Sequence, residues 1–264
     1  MTQTEIHNNT LNKNSVTNFI LRIDLVNTEN DSISNIASEM RKFFYNAEKQ
    51  FIAKVDFHFN EKNTKITDEV RQSEYILSTE DKLVKMTFSE NENAIILQTN
   101  RYRDNTAYKE HIKNAIEIIR NENTNIQAKR IGLRYINDFN CDSFKKISSI
   151  FGKRLSAVVK KMIHDENQSR IICIEEFNNN SYKLRLQYGI PNKFYPSAIT
   201  IPNLLLDIDS YAEITSCIDD WTDIIRKLNH TAYENFILEM NPKYIASVRW
   251  RKTFIKSHLK NKKQ

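Results

Sequence analysis

Asp207 and Asp209 stand two apart in the run Asn203-Leu-Leu-Leu-Asp-Ile-Asp209, which reads as a strand, so both carboxylates leave the same face. Two-metal phosphoryl-transfer sites use such pairs because clustered carboxylates hold Mg²⁺ near the scissile oxygen. Glu175 and Glu176 fall in a second strand-like run that could lie alongside. The competing reading is that these acids close a strand and pair with Lys183 and Arg185 across the sheet. A lone D-x-D is a weak signal, so Asp207 and Asp209 are the candidates for a metal-dependent nuclease and nothing more. No other catalytic constellation accompanies them. His7, His58, His111, His164, His230 and His258 share no metal-ligand spacing, and no G-x-S-x-G elbow or cysteine signature is present. No catalytic residue and no cofactor are expected.

The most distinctive local segment is Lys129-Arg-Ile-Gly-Leu-Arg-Tyr-Ile-Asn137. On a strand, Arg130, Gly132, Arg134 and Ile136 share one face, while Ile131, Leu133, Tyr135 and Asn137 share the other. Two arginines flanking a glycine leave a gap in which a backbone, a carboxylate or a phosphate could lie between guanidinium forks. The plainer alternative is that the arginines pair with acids on neighbouring strands and Gly132 accommodates an aromatic ring.

A third feature is the end of the sequence. From Arg249 to Gln264 there are seven cations (Arg249, Arg251, Lys252, Lys256, Lys260, Lys262, Lys263) and no acid. At helical spacing Trp250, Phe254, Ile255, His258 and Leu259 lean to one side. Such a segment can hold phosphates while Trp250 stacks on a base, dock into a partner groove, lie on an anionic membrane, or pack as a last helix with a frayed end. Removing those seven cations from a net charge of +6 leaves the rest of the chain at −1. The basic character is therefore local, and the body need not be a nucleic-acid surface.

These residues must be carried by alternating strands and helices. Phe19, Leu21, Ile23 and Leu25 alternate with Arg22 and Asp24, and Phe51, Ala53, Val55, Phe57 and Phe59 alternate with Lys54, Asp56 and His58. Short runs at Tyr75–Ser78, Leu83–Ser89 and Ala94–Thr99 are separated by polar gaps, hence antiparallel hairpins. Helical stripes follow over Ile33–Phe44, Tyr108–Ile119, Phe144–Met162 (broken near Gly152) and Ile218–Phe236, the last ending before Pro242. Asn60–Gln72 and Asp165–Ser169 read as loops. Strand–strand–strand–helix occurs over 74–120 and again over 170–240, with Ile171–Phe177, Tyr182–Tyr188 and Leu204–Tyr211 as the second set of strands. The expected fold is α+β: antiparallel sheets with helices packed on one face, in two β-β-β-α halves joined by Ile131–Phe139. The corresponding divisions are 1–139, 140–248 and a basic tail, 249–264.

The 264 residues are 40% hydrophobic, 10% aromatic and 27% charged, which excludes collagen-like, mucin-like and wholly disordered chains. Three glycines make phosphate-cradling glycine loops nearly impossible. Cys141, Cys173 and Cys217 are far apart and odd in number, which suggests neither a zinc site nor a disulfide framework and fits a reducing cytoplasm. Met1–Asn14 has no apolar signal core, and no apolar run approaches the ~20 residues of a membrane span. The sequence thus predicts a cytoplasmic protein with no membrane partner.

Arg130, Gly132, Leu133, Arg134, Tyr135 and Asn137 together form an R-x-G-L-R-Y-x-N strand. In this the sequence resembles a sporadically distributed, poorly characterised family of bacterial proteins marked by that motif. The resemblance extends in order to Ser89 and Thr99-Asn-Arg-Tyr102, and to Leu205-Leu-Asp-Ile-Asp209 with the long helix after it, covering about residues 70–240. It departs at Leu11–Val16, where the family has a proline-containing entry, and at Asp138, where it continues basic. The family carries no established enzyme chemistry, and its patchy occurrence implies accessory genes of mobile or anti-phage defence loci. The expectation is a non-catalytic recognition protein, accessory or regulatory to a bacterial defence or toxin-linked system. It would bind a protein partner from the same operon through Arg130, Gly132, Arg134, Tyr135 and Asn137. The alternative is nucleic-acid binding through Arg249, Trp250, Arg251 and Lys252 with Arg130 and Arg134.

Overall fold

The computed structural model describes residues 15–26, 32–60, 63–100, 102, 106–122, 126–165, 167–179, 182–213 and 215–248, with backbone alone at 52–60, 63–72 and 106–108. The elements run β1 (Val16–Leu25), α1 (Ser32–Met40), β2 (Asn46–Asn60), β3 (Asn63–Ser78), β4 (Val84–Ser89), β5 (Ala94–Thr99), α2 (Thr106–Glu122) and β6 (Gln127–Phe139). They continue with α3 (Ile147–Ile150), α4 (Lys153–Lys161), β7 (Ile171–Asn179), β8 (Tyr182–Ile190), β9 (Leu204–Ala212), β10 (Ser216–Cys217), α5 (Trp221–Glu239) and α6 (Pro242–Val248).

All ten strands join one antiparallel sheet in the order β2-β3-β4-β5-β1-β6-β9-β8-β7, with β10 beside β6. The two expected β-β-β-α runs are present as β3-β4-β5-α2 and β7-β8-β9-α5; the first is preceded by β1, α1 and β2, the second by β6, α3 and α4. The two leading strands lie side by side at the centre. Each is flanked on its far side by the last long strand of its own run, β5 for β1 and β9 for β6. The halves therefore share one sheet.

Period-two patterning explains which face is covered. Phe19, Leu21 and Ile23 of β1 lie opposite Tyr135, Leu133 and Ile131 of β6, all buried beneath the helices. Leu204, Leu206 and Ile208 of β9 continue that layer, as do Leu184, Leu186 and Tyr188 of β8. Ile33, Ile36 and Met40 of α1, Ile112, Ile116 and Ile119 of α2, and Trp221, Ile224 and Leu228 of α5 close over it in one hydrophobic cluster. Trp221 is wholly buried and its indole N–H donates to the Ser216 carbonyl at 3.3 Å. No described helix covers the other face. Among the described residues no helix is long and apolar enough to cross a membrane.

Two local findings refine the sequence reading. The helical stripe at 144–162 is divided, as expected, at Gly152: Phe151 is extended, and the Gly152 N–H donates to the Glu239 carbonyl at 2.7 Å. A Cβ on Gly152 would approach that same carbonyl oxygen to 3.0 Å. The expected loop at Asn60–Gln72 is corrected. Its backbone forms most of β3, paired with β2 from Asn60↔Asn63 through Asn46↔Ser78 around a bulge near Lys54 and Asp56. β4 pairs only with Glu74–Ser78, so the rest of β3 adjoins β2 alone. A strand paired on one side only is less constrained to alternate apolar with polar residues, and its sequence reads as loop.

Candidate functional site

The sheet face that no described helix covers carries a belt of charges across its central strands. Arg22 and Asp24 lie on β1, Arg130, Gly132 and Arg134 on β6, and Asp207, Asp209 and Tyr211 on β9, brought together by the β1/β6 and β6/β9 registers. Arg134 forks onto Asp207, with Nε donating to the two carboxylate oxygens at 3.0 and 3.1 Å and Nη2 donating at 2.6 Å. Asp207 is 4% exposed, whereas 44% of the Arg134 side chain faces solvent. Arg130 lies between two acids, 3.7 Å from Asp24 and 3.6 Å from Asp209. Arg22 completes the chain, contacting Asp24 and Glu92 at 2.7 Å each.

Gly132 explains how Arg130 reaches Asp209. Gly132 stands opposite Tyr211, and a Cβ there would lie 3.3 Å from the Tyr211 Cβ and 3.4 Å from Arg130 Nη2. With no side chain at 132, the Arg130 guanidinium lies down along its own strand and stacks on the Tyr211 ring, 4.7 Å from the centroid. The glycine thus accommodates an arginine and a ring together, and the arginines pair with neighbouring-strand acids, the plainer of the two arrangements the sequence allowed.

The electrostatics follow from burial and partners. Burial pushes the Asp209 carboxyl above its usual range, against the pull of Arg130 and Arg134. The hydrogen bonds from Arg134 to Asp207 outweigh burial and raise the guanidinium further. Of the alternative pairing of Asp207, Asp209, Glu175 and Glu176 with Lys183 and Arg185, that of Glu176 with Arg185 is present and the rest is corrected. Lys183 bridges Glu213, Arg185 sits 3.7 Å from Glu176, and the two aspartates take β6 arginines instead, because β9 pairs with β6 as well as β8. Glu175 leaves β7 on the opposite face, where it accepts from Tyr188 Oη and Arg154 Nη1, both at 2.5 Å. Among the described residues no three His, Cys, Asp or Glu side chains group as a metal site would require.

Tyr135 and Asn137 point to the helix face. Tyr135 Oη donates to Asn229 Oδ1 on α5 at 2.8 Å. Asn137, 1% exposed, accepts from Ser15 Oγ at 3.0 Å and donates to the Leu206 carbonyl at 3.0 Å. The motif thus divides, with Arg130, Gly132 and Arg134 on the open surface and Tyr135 and Asn137 in the packing beneath. Arg249, Trp250, Arg251 and Lys252 lie outside the described residues. Sequence reasoning missed Arg22, Asp24 and Tyr211. The Arg22/Asp24 alternation in β1 was the available signal, but only the register shows that it meets β6.

A second polar cluster ties the helix layer together. Arg154 of α4 forks onto buried Glu239 at the end of α5 (3.1, 3.1 and 2.6 Å) and reaches Glu175 of β7. Burial favours a neutral Glu175, but the Tyr188 and Arg154 bonds prevail and hold its carboxyl below the usual range. The chain matches no protein-family model, no curated protein and no solved structure.

Proposed function

We propose that the chain is a non-catalytic recognition protein that binds a partner protein through the open sheet face. It would act as an accessory or regulatory component of a bacterial defence or toxin-linked system in the cytoplasm. The observation that carries the binding role is the face that no described helix covers, where Arg134 and Arg130 are fixed in orientation by Asp207, Asp24 and Asp209 while Arg134 stays half in solvent. Arginine and tyrosine held rigidly on a broad surface make binding anchors, since little rotamer freedom is lost when a partner docks. The assignment to defence rests on the R-x-G-L-R-Y-x-N resemblance.

Co-purification from the native operon tests the reading. The wild-type chain is expected to bring down a stoichiometric neighbour, and Arg134→Ala, with folding checked by circular dichroism, is expected to release it. Isolation of the chain alone, or turnover of a substrate that depends on Asp207 or Asp209, overturns the proposal.

A further inference from the structure

The connection between β8 and β9, residues 191–203, has a surface unlike the ion-paired centre of the sheet. It is bonded to the segment 162–170 that follows α4. The Gln168 side chain donates to the Met162 carbonyl (2.9 Å) and accepts from the His164 N–H (3.2 Å), while its own carbonyl accepts from the Ile199 N–H (2.8 Å). Asn192 is buried in a left-handed conformation (φ 52°), which asparagine tolerates. Its amide donates to the Ser169 and Ser197 carbonyls at 2.8 and 2.7 Å, and its Oδ1 accepts from the Phe194 N–H at 3.1 Å. Arg170 Nε donates to the Pro191 carbonyl at 3.2 Å, and its guanidinium covers the Tyr195 ring at 4.1 Å.

These bonds hold Phe194 and Tyr195 outward, 65% and 54% exposed. Two large rings on a bonded loop mark an interaction site more often than an accident of composition. Cations accompany them. Lys193 immediately precedes Phe194, Arg170 covers the Tyr195 ring, and Lys160 and Lys161 end α4, the helix that leads into the segment bonded to this loop. Arg22, Arg130, Arg134 and Arg154 all sit on carboxylates, whereas among the described residues none of these four cations enters an ion pair. Against them the two segments carry only Asp165, whose carboxylate accepts from the Asn167 N–H at 2.7 Å, and Glu166.

We propose that this loop end binds single-stranded nucleic acid, with bases stacked on Phe194 and Tyr195 and phosphates held by Arg170 and Lys193. Exposed π-faces beside unneutralised cations complement a polymer that alternates flat bases with negative charges. An acidic peptide offers the charges without the faces, and a duplex hides its faces in the stack. Arg170 stacked on Tyr195 keeps its remaining N–H groups for phosphate. The site is separate from the open sheet face, so either reading can fail without the other.

The test is fluorescence anisotropy of the full chain with a labelled single strand of about 20 nucleotides, its duplex, anionic vesicles and an acidic peptide. Three variants accompany it: Phe194→Ala/Tyr195→Ala, Arg170→Gln/Lys193→Gln, and a full-length chain with the seven cations of 249–264 changed to Gln. Single strand is expected to bind more tightly than duplex. Loss of both rings is expected to weaken it about 10–100-fold, and loss of Arg170 and Lys193 to flatten the salt dependence by about one unit of slope per contact. The tail variant is expected to keep its dependence on the rings. Absence of binding, equal affinity for duplex, preference for vesicle or peptide, or loss on tail neutralisation alone overturns the proposal.

Discussion

Arg134 stands directly opposite Asp209 in the β6/β9 ladder, yet its guanidinium goes to Asp207, the diagonal neighbour. Asp209 is thereby left to Arg130, which reaches it from four positions along β6 by lying over Gly132. The arginines and aspartates interleave diagonally, a spacing that long side chains span in antiparallel sheet.

Because Asp207 is almost wholly buried, Arg134→Ala leaves a carboxylate that water cannot rescue. Urea denaturation is expected to show a loss of about 1–3 kcal/mol. The double replacement Arg134→Met/Asp207→Leu should recover much of it, since paired removal leaves no orphaned charge. Strictly additive losses would contradict the pairing.

The two sheet glycines are expected to respond unequally. Gly189 has φ +140°, and a Cβ there would fall 2.2 Å from the Ile171 carbonyl oxygen, a backbone atom fixed by β7/β8 pairing. Gly189→Ala should cost about 3 kcal/mol or more. Gly132→Ala meets the Tyr211 Cβ at 3.3 Å and the movable Arg130 guanidinium at 3.4 Å, so it needs a shift of only a few tenths of an ångström and should cost about 1 kcal/mol, partly by lifting Arg130 off Tyr211. Equal melting-temperature shifts for the two would refute this account.

Glu175 makes a pH-dependent contribution of known sign. Its folded-state value lies below the ordinary 4.5, so the stability it supplies is present above that value and is lost as the pH falls through the folded value. Comparing wild type with Glu175→Gln between about pH 7 and pH 3 should show the stability gap narrowing on acidification. A gap that stays constant or widens would remove the assignment.

Tyr135 and Asn137 should behave as packing residues. Tyr135→Phe forfeits the bond to Asn229 and is expected to cost about 1 kcal/mol, and Asn137→Ala, which strands Ser15 Oγ and the Leu206 carbonyl, about 1–3 kcal/mol. Unchanged stability in calorimetry, with partner capture lost, would instead make them contact residues.

Much of this architecture is legible in the residues. The alternation in Phe19–Leu25 and Lys129–Asn137 gives the strands and their buried sides, short polar gaps give the hairpins, and Ile218–Phe236 gives the long helix. The pairing of β1 with β6 is not, because nothing local states which of several amphipathic strands are neighbours across more than a hundred residues. The same gap hid the Arg130–Asp24 and Arg134–Asp207 contacts, although opposite charges at matching parity were in view. Residues 63–72 escaped for a different reason: paired with β2 alone, they show no alternation of apolar and polar residues in the sequence. Phe194 and Tyr195 look like any loop residues until the Asn192 bonds show them held in place.

The neighbouring positions of β1 and β6 also bear on synthesis. Ile23 meets Ile131, so one side of β1 must wait for a strand translated roughly 5–20 s later at ordinary elongation rates. Throughout that interval the nascent first half offers the ribosome exit an incomplete sheet whose raw border will become its middle, a template for capture by any passing extended polypeptide. Early truncation before Phe139 should therefore yield aggregates rather than a smaller folded protein.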